Sequence, residues 1–307
     1  MTFSVQILGS NSALAAHGRH PTAQVVQYNN AYFLIDCGEG TQMRMSNFHV
    51  KRSKINQIFI SHLHGDHYFG LIGLITSYQL MGRTNKLTIF GPAPLENIIL
   101  AHLNASSTTL NYDLDFVVTK PNGKNLIFES DELCVYTFPL QHRIDTTGFL
   151  FLEKVAPRRI NGEVTKDLKL SRADFEDLKL GLDVTVEGKQ LSNASLTLPS
   201  YPSRSYAFCS DTVFLPELKE VIEGVDLLYH EATFTKEAVQ KAIKTNHSTT
   251  EQAAKIANIV NAKQLIIGHF SSKYIDLQIP LNEAKSVFAN THLAIEGTTF
   301  EIYKQKN

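Results

Sequence analysis

The sequence predicts a layered α/β domain. Runs rich in β-branched and aromatic residues alternate with helical patterns along the chain, which is typical of helices packed on sheets. Of its 307 residues, 43% are hydrophobic and 19% are charged, so there is ample apolar material for a core. No tandem repeat or low-complexity tract interrupts the pattern. We therefore expect a single domain over residues 1–307.

The clearest strands and helices follow from periodicity and capping signals. Strands are predicted at residues 31–35, 57–61, 134–139, 205–209, 226–230 and 264–268. Helices are predicted to follow Gly65, Pro94, Thr235, His247 and Asn282. The best supported helix begins at Ser248, because Ser248 and Glu251 form the S-x-x-E pattern of a capping box. Its apolar face consists of Ala253, Ala254, Ile256, Ala257 and Val260.

Composition excludes several classes of protein. No apolar run approaches the roughly 18 to 20 residues that a membrane span requires, so no membrane partner is expected. Three widely spaced cysteines form no C-x-x-C pair, which favours a reducing cytoplasm over a disulfide framework. The net charge is −1, so any binding of nucleic acid must depend on a local basic patch.

A dense cluster of metal-ligand residues follows one predicted strand, in the pattern H-x-H-x-D-H. His62 and His64, two positions apart on an extended segment, point to the same side and can hold one ion. We expect Gly65 to permit a sharp turn that directs Asp66 and His67 toward a second ion. Imidazole and carboxylate without thiolate suit Zn²⁺ or another borderline divalent metal. A lone histidine is more often a core residue, but packing explains this cluster poorly.

The cluster resembles the signature of the metallo-β-lactamase superfamily, whose four-layer αββα sandwich carries metal ligands on loops at strand ends. The resemblance implies three further ligands, and His142, Asp211 and His269 each follow a strand-like run in the expected order. It implies that the first zinc ion is held by His62, His64 and His142, and the second by Asp66, His67 and His269. Asp211 would bridge the ions. Asp36 resembles the acid that orients a ligand imidazole or its loop.

Longer motifs resemble the ribonuclease Z family. They are L-G-S at 8–10, F-L-I-D-C-G-E-G-T at 33–41, S-H-L-H-G-D-H at 61–67, Y-H-E-A-T-F at 229–234 and N-H-S-T at 246–249. The match runs from residue 3 to about residue 269. It implies a zinc-dependent endoribonuclease that removes the 3′ trailer from precursor tRNA, leaving a tRNA 3′-hydroxyl and a trailer 5′-phosphate. It also implies two zinc ions per subunit and a cytoplasmic homodimer.

Three residues are assigned catalytic roles on this resemblance. Two adjacent zinc ions can generate a nucleophile from water at neutral pH, and Asp66 would orient or deprotonate it. His247, outside the metal set, would protonate the leaving ribose oxygen, and Glu231 would orient its imidazole. The alternatives are an ordinary strand-end carboxylate for Glu231 and a solvent-facing side chain for His247.

Residues 154–195 break the alternating rhythm, and their first half is basic. Between residues 154 and 172 there are six Lys or Arg residues against two acids. We interpret the segment as an insertion that projects from the main domain; the alternative is a solvated surface loop. A flexible arm at this location binds the tRNA elbow in the ribonuclease Z family. The expected tRNA contacts are Arg158, Arg159, Lys166 and Lys169.

Two other functions remain open on the sequence. One is a dinuclear-zinc phosphodiesterase or hydrolase of the same fold that acts on small molecules, since one fold hosts many reactions. The other is a non-catalytic RNA-binding or scaffold protein that has lost its metals. The complete set of ligand residues argues against the second.

Overall fold

Two seven-stranded mixed sheets form the centre of the computed structural model, which describes residues 2–304. The strands are β1 (Phe3–Gly9), β2 (Ala23–Tyr28), β3 (Ala31–Ile35), β4 (Ile55–Phe59), β5 (Leu87–Gly91), β6 (Leu114–Val118), β7 (Asn125–Glu129), β8 (Leu133–Leu140), β9 (Thr146–Glu153), β10 (Arg159–Ile160), β11 (Val184–Val186), β12 (Lys189–Leu191), β13 (Thr197–Leu198), β14 (Ser205–Cys209), β15 (Leu227–Glu231), β16 (Gln264–Gly268), β17 (Thr291–Leu293) and β18 (Thr299–Glu301). The helices are α1 (Thr41–Asn47), α2 (Gly65–Tyr68), α3 (Leu71–Leu80), α4 (Pro94–Ala105), α5 (Gly162–Thr165), α6 (Arg172–Leu180), α7 (Asn193–Leu196), α8 (Lys219–Ile222), α9 (Val239–Thr245), α10 (Thr250–Ile259) and α11 (Gln278–Lys285). Within the described range, no helix is both long and apolar enough to cross a bilayer.

Each sheet combines parallel and antiparallel strands. The first has the order β18-β1-β2-β3-β4-β5-β6, and the second has the order β17-β16-β15-β14-β9-β8-β7. Strands β3 to β6 are parallel in the first sheet, and β14 to β17 are parallel in the second. In parallel sheets the loops at the carboxyl ends of the strands share one edge, where ligand sites gather.

The two sheets pack face to face through an aromatic core. Phe33 and Phe59 from the first sheet each contact Phe151 from the second, with ring centroids 5.6 and 5.5 Å apart. Phe59 also contacts Phe149 at 5.5 Å. All four rings are buried, and each fully buried aromatic side chain contributes roughly 1.5–3 kcal/mol through the hydrophobic effect. This core fixes the separation and alignment of the two sheets.

Helices cover the outer face of each sheet and complete four layers. Apolar side chains of α1, α3 and α4 pack on the first sheet. Those of α8, α10 and α11 pack on the second. The predicted apolar face of α10 is entirely buried in that layer. The order of layers is therefore helix, sheet, sheet, helix, which confirms the predicted αββα class.

Most of the predicted strands are confirmed, with small shifts at their ends. The predictions at 31–35, 205–209 and 264–268 coincide with β3, β14 and β16. Strand β8 extends the predicted 134–139 by one residue at each end, and β15 lies one residue later than predicted. The prediction at 57–61 lies two residues too late. Strand β4 ends at Phe59, because the Ser61 amide donates to the Asp36 carboxylate instead of a neighbouring strand.

Helices occur at all five predicted places, but two details were wrong. The capping box of α10 uses Thr249 and Gln252, whose side chains exchange hydrogen bonds with each other's backbone N–H groups. Ser248 instead donates to the carbonyl oxygen of Thr212 at 2.7 Å, which ties the start of α10 to a neighbouring loop. The helix predicted to follow Asn282 already begins at Gln278.

Residues 159–198 form a small unit with elements of its own. Strands β10 and β13 pair with each other, and β11 pairs with β12. A separate cluster of buried side chains joins Leu178, Val184 and Leu196. Helix α6 begins with a capping box between Ser171 and Asp174. The basic half of this segment is thus held by local structure with a compact core.

A buried ion pair closes the end of the sandwich opposite the carboxyl edge of the parallel strands. Glu153, at the end of β9, accepts hydrogen bonds from Arg204 at 2.9 and 3.0 Å and from Tyr28 at 2.9 Å. The Glu153 and Arg204 side chains are 5% and 3% exposed. Burial alone would raise the pKa of Glu153, but these hydrogen bonds outweigh it and lower the pKa to about 2.

We expect Glu153→Ala to lower the free energy of unfolding by about 3–5 kcal/mol, because it removes the carboxylate that neutralises the buried Arg204 guanidinium. Urea denaturation at pH 7 measures the loss. The matched control is Glu129→Ala, which removes an exposed ion pair with Lys154 and should cost about 1 kcal/mol or less. Equal stabilities of the two variants would contradict the assigned importance of the buried pair.

The same pair makes a prediction for acid stability. The pKa of Glu153 is lower in the folded than in the unfolded chain, where it is about 4.3. Its contribution to stability is therefore fully present above that value and is lost as the pH falls toward about 2. The difference in unfolding free energy between wild type and Glu153→Gln should shrink over this window.

Candidate metal centre and active site

The predicted ligand residues converge at the edge of the sandwich where the parallel strands of both sheets end. Their donor atoms form two groups, and within each group these atoms lie within 4.8 Å of one another. Asp211 and His269 also form a third such group with His247. The first group consists of His62, His64, His142 and Asp211, and the second of Asp66, His67 and His269. All seven residues predicted as ligands are thus brought together in space. They come from four separate segments of the chain, which follow β4, β8, β14 and β16.

Asp211 lies between the two groups. Its Oδ2 is 3.5 Å from His62 Nε2 and 3.6 Å from His142 Nε2. Its Oδ1 is 3.3 Å from His67 Nε2 and 3.1 Å from His269 Nε2. One oxygen of this buried carboxylate therefore faces each group, which is the arrangement of a bridging ligand.

Three site residues lie within two positions of a strand end and have left-handed backbone conformations. Asp36 follows β3, Asp211 follows β14 and His269 follows β16, with φ of 54°, 57° and 58°. Such values are uncommon for residues other than glycine, although Asp and His are among the residues that adopt them most often. The backbone turns sharply as it leaves each strand, and this turn brings the three side chains into the site.

Gly65 contributes in a different way from that predicted. It is not among the residues with positive φ, since it begins helix α2 with its neighbours in helical geometry. A Cβ at this position would lie 2.3 Å from a ring carbon of Phe69. Gly65 therefore provides space beside the Phe69 ring, while the short helix itself directs Asp66 and His67 toward the second group.

Asp36 connects the H-x-H-x-D-H loop with a ligand imidazole. Its carboxylate accepts hydrogen bonds from the Ser61 N–H at 2.8 Å and the Ser61 hydroxyl at 2.9 Å. The other contact is with His67 Nδ1 at 2.7 Å. Burial raises the pKa of Asp36, and the charge of His67 opposes that shift. Because Nδ1–H of His67 donates to Asp36, Nε2 of His67 is left to face Asp211.

Two other imidazoles are oriented through their Nδ1 atoms. His142 Nδ1 lies 2.8 Å from the carbonyl oxygen of Asn246, which can only accept. His269 Nδ1 lies 2.9 Å from the hydroxyl of Thr233. A proton on Nδ1 of His142 leaves an unshared electron pair on its Nε2, which points into the first group. The tautomer that binds a metal is thus selected by its neighbours.

Sequence analysis did not identify these supporting partners. Thr233 belongs to the H-E-A-T motif and Ser61 directly precedes His62, so the motifs did contain both residues. Asn246 contributes a carbonyl oxygen, and Ala13 donates its N–H to Asp66 at 2.7 Å. Backbone partners of this kind leave no signal in a pattern of side chains.

Neutral imidazoles dominate the first group. Burial lowers the pKa of His62 well below its usual value, and it lowers the pKa of His64 to about 4. Burial also lowers the pKa of His142. These rings are therefore uncharged at pH 7, which is the form that binds metal ions.

The arrangement of donor atoms fits divalent cations. His64 Nδ1 lies 3.0 Å from His62 Nε2 and 3.2 Å from His142 Nε2. In the second group, His67 Nε2 lies 3.4 Å from His269 Nε2. Unshared pairs on nitrogen and carboxylate oxygen repel one another at such distances unless a proton or a metal cation lies between them. Five imidazoles and two carboxylates, without a thiolate, are a donor set for borderline divalent metals.

Beside the second group, Glu231 and His247 form a buried pair. Glu231 Oε1 lies 2.7 Å from His247 Nδ1 and accepts the Thr212 N–H at 2.9 Å. Glu231 Oε2 accepts the Thr233 hydroxyl at 2.6 Å. Burial alone would lower the pKa of His247, but the charge of Glu231 raises it to about 9. His247 is only 9% exposed, so it does not have the solvent-facing position considered as an alternative. Glu231 is the last residue of β15, as its alternative supposed, but it is fully buried and holds His247.

An open cleft of about 350 Å³ leads from solvent to both groups. Asp66, Asp211 and His247 line its floor, and the walls include Phe69 and Arg143. The Phe69 ring is 62% exposed. The cleft is wide enough to admit a phosphodiester to the ligand residues.

Cys209 and His230 are close in sequence to site residues but belong to neither ligand group. Cys209 packs in the buried layer between the second sheet and its helices, away from the ligand groups. His230 Nδ1 lies 2.7 Å from the carbonyl oxygen of Glu231 within the same strand. The predicted tRNA contacts of the arm do not line the cleft. They are Arg158, Arg159, Lys166 and Lys169.

Comparisons with known proteins agree with this geometry. The family model described as Anti-Pycsar protein Apyc1 matches residues 3–292. A ribonuclease Z of Bacteroides fragilis (strain YCH46) is 46% identical over 296 residues, which cover 96% of this chain and 97% of that protein. The crystal structure of human tRNase Z, short form, superposes with a TM-score of 0.72 at 26% identity and covers 98% of this chain and 99% of its own. The metallo-β-lactamase-fold protein YhfI from Bacillus subtilis has a TM-score of 0.69 at 17% identity over 98% of this chain and 100% of its own.

These similarities extend over almost the whole chain and include the ligand-bearing loops of both sheets. The structural matches confirm the metallo-β-lactamase fold. The sequence matches reach well beyond the H-x-H-x-D-H motif that the wider superfamily shares. The chain therefore belongs to the ribonuclease Z family, and equally to the family that the Apyc1 model describes.

Proposed function

We propose that this protein is a metal-dependent endoribonuclease that removes the 3′ trailer of precursor tRNA. Cleavage would leave a 3′-hydroxyl on the tRNA and a 5′-phosphate on the trailer. The observation that carries the proposal is the convergence of two metal-ligand groups on Asp211 beside the Glu231–His247 pair. The relatives named ribonuclease Z favour RNA as the substrate over a small molecule.

We propose two zinc ions per chain, one in each ligand group. His62, His64 and His142 would hold the first, Asp66, His67 and His269 would hold the second, and Asp211 would contribute to both. Nitrogen and oxygen donors in sets of three or four suit Zn²⁺. Divalent ions bound at these positions supply Lewis-acid polarisation of a phosphodiester and favour deprotonation of water.

The protein's own side chains would position the reacting groups. Asp66 is held by the Ala13 N–H, and it faces the cleft, where it can orient a water molecule or accept its proton. His247 lies across the cleft from it, and we assign it the transfer of a proton to the leaving ribose 3′ oxygen. Glu231 fixes Nδ1 of His247, so Nε2 is the atom available to that oxygen.

We further propose that residues 154–195 are an arm that binds tRNA away from the cleft. Arg158 and Arg159 each donate a hydrogen bond within this region, and Lys169 pairs with Glu187 at 2.7 Å. Of these four residues, all within the described part of the chain, Lys166 is the one whose side chain makes neither a hydrogen bond nor an ion pair. Its side chain is exposed. We therefore expect Lys166 to contribute most to phosphate binding.

We also propose a cytoplasmic homodimer. All three cysteines are free and buried, which suits a reducing compartment. In a dimer, the arm of one subunit would hold the tRNA that the other subunit cuts.

Mapping the cut in a precursor tRNA tests the proposed function. We expect one incision after the discriminator nucleotide, abolished by a chelator. Asp66→Ala should lower the rate by several orders of magnitude, because it removes a ligand and the group that positions water. The control Asp113→Ala changes an exposed carboxylate at the opposite edge of the sheet and should retain activity. Absence of cleavage near the discriminator by protein with bound metal would end the proposal.

His247→Ala separates proton transfer from metal binding. We expect a rate about 10²–10⁴-fold below wild type, because the leaving oxygen loses its proton donor. Metal content, measured by mass spectrometry, should not change. His102→Ala, an exposed histidine on α4, serves as the control. Loss of metal from the His247 variant would show that the assignment is wrong.

Charge removal in the arm distinguishes RNA from small-molecule substrates. Lys166→Ala should raise KM for precursor tRNA. It should also reduce, by about one, the slope of the logarithm of the binding constant against the logarithm of salt concentration. Hydrolysis of bis(p-nitrophenyl) phosphate should be unaffected. Lys255→Ala, on α10, is the control. If Lys166→Ala binds precursor tRNA as wild type does, Lys166 is not a tRNA contact.

A further inference from the structure

A second depression adjoins the cleft at the same edge of the sandwich. It encloses about 660 Å³ and is formed by the loops that follow β5 and β6, together with the loop before β9. Its walls are mostly apolar and include Leu63, Pro92, Pro94, Val118, Pro121 and Ile144. We call this depression the proline groove.

The proline groove is continuous with the active-site cleft. His64 lines both depressions, so the first ligand group forms the boundary between them. A phosphodiester held in the cleft has a nucleotide on each side. One of these neighbours therefore lies within reach of the groove without any long displacement of the RNA strand.

The chemistry of the groove suits a nucleobase attached to a charged backbone. Val118 and Ile144 are 48% and 39% exposed, so apolar surface is available to the face of a base. Three prolines form rigid walls, because a proline side chain loses no rotamer freedom when it packs against a ligand. Lys120 is exposed, lines the groove and can approach a phosphate; the exposed carboxylate of Asp145 also lines the groove.

We propose that the proline groove binds the base of an unpaired nucleotide adjacent to the scissile phosphate. This inference depends on the proposed function, because it takes the RNA strand to lie across the ligand groups. The base packs against the apolar wall, and Lys120 contacts the backbone. The groove thereby fixes the register of the strand over the metal ligands.

Filling the groove provides the test. Ala93 is exposed, lines the groove and has an ordinary helical backbone, so Ala93→Trp is sterically permitted and occupies the space of a base. The matched control is Ala101→Trp, an exposed position on the same helix that is not part of the lining. Lys120→Gln is a second variant that leaves the apolar walls intact.

The expected result is a fall of about tenfold or more in kcat/KM of Ala93→Trp for precursor tRNA, mainly through KM. Turnover of bis(p-nitrophenyl) phosphate should match wild type, and Ala101→Trp should match wild type on both substrates. Lys120→Gln should raise KM for precursor tRNA. It should also reduce, by about one, the slope of the logarithm of the binding constant against the logarithm of salt concentration.

Precursors with an abasic nucleotide identify which neighbour occupies the groove. One carries it at the last nucleotide of the tRNA body, and the other at the first nucleotide of the trailer. Wild type should lose activity on one of them by a factor similar to that caused by Ala93→Trp. The variant should lose nothing further on that substrate, since its groove is already filled.

Several outcomes would overturn the inference. If Ala93→Trp has the kcat/KM of wild type for precursor tRNA, no base binds in the groove. The same conclusion follows if the Ala93→Trp variant loses further activity, to an equal extent, on both abasic substrates. If wild type hydrolyses the model diester but does not cut precursor tRNA, the proposed function fails and this inference falls with it. If wild type cuts precursor tRNA and the filled variant does so equally well, the inference about the groove fails by itself.

Discussion

One carboxylate, that of Asp211, connects the two halves of the functional site. Its two oxygens face different sets of imidazoles, at distances of 3.1 to 3.6 Å. This is possible only because the parallel strands of both sheets end at the same edge of the sandwich. The aromatic core between the sheets maintains that alignment, so the chemistry at the edge depends on packing in the interior.

Around this carboxylate, three of the ligand imidazoles are oriented by a further partner. Asp36 holds His67, the carbonyl oxygen of Asn246 holds His142, and Thr233 contacts His269. Such partners select the tautomer and limit rotation of the rings, so little reorganisation is needed when a metal binds. Thr233 also donates to Glu231, which in turn holds His247. The ligand groups and the proposed proton donor therefore belong to one hydrogen-bonded network.

Binding of RNA by a chain with a net charge of −1 requires that its contacts be local. The arm offers exposed cations, with Lys166 the least engaged by its neighbours. The proline groove offers apolar surface beside the ligands, with Lys120 at its side. Contacts distant from the cleft would supply affinity, and contacts within one nucleotide of the cut would supply register. The two surfaces divide these tasks because phosphate attraction has little sequence or positional preference.

The sequence by itself determined the class of fold, most of the strands and the identity of every residue in the two ligand groups. The strands depend on local periodicity, and four of the ligand residues lie in one dense motif. The other three, His142, Asp211 and His269, were identified through the resemblance to a known family. Tertiary structure decided that Thr249 caps α10, that Gly65 makes room for Phe69, and that Ser61, Thr233 and Asn246 support the ligands. It also created the proline groove from loops that are far apart in the sequence. Such contacts join residues far apart in sequence, so only the packing of the two sheets brings them within hydrogen-bonding or van der Waals distance.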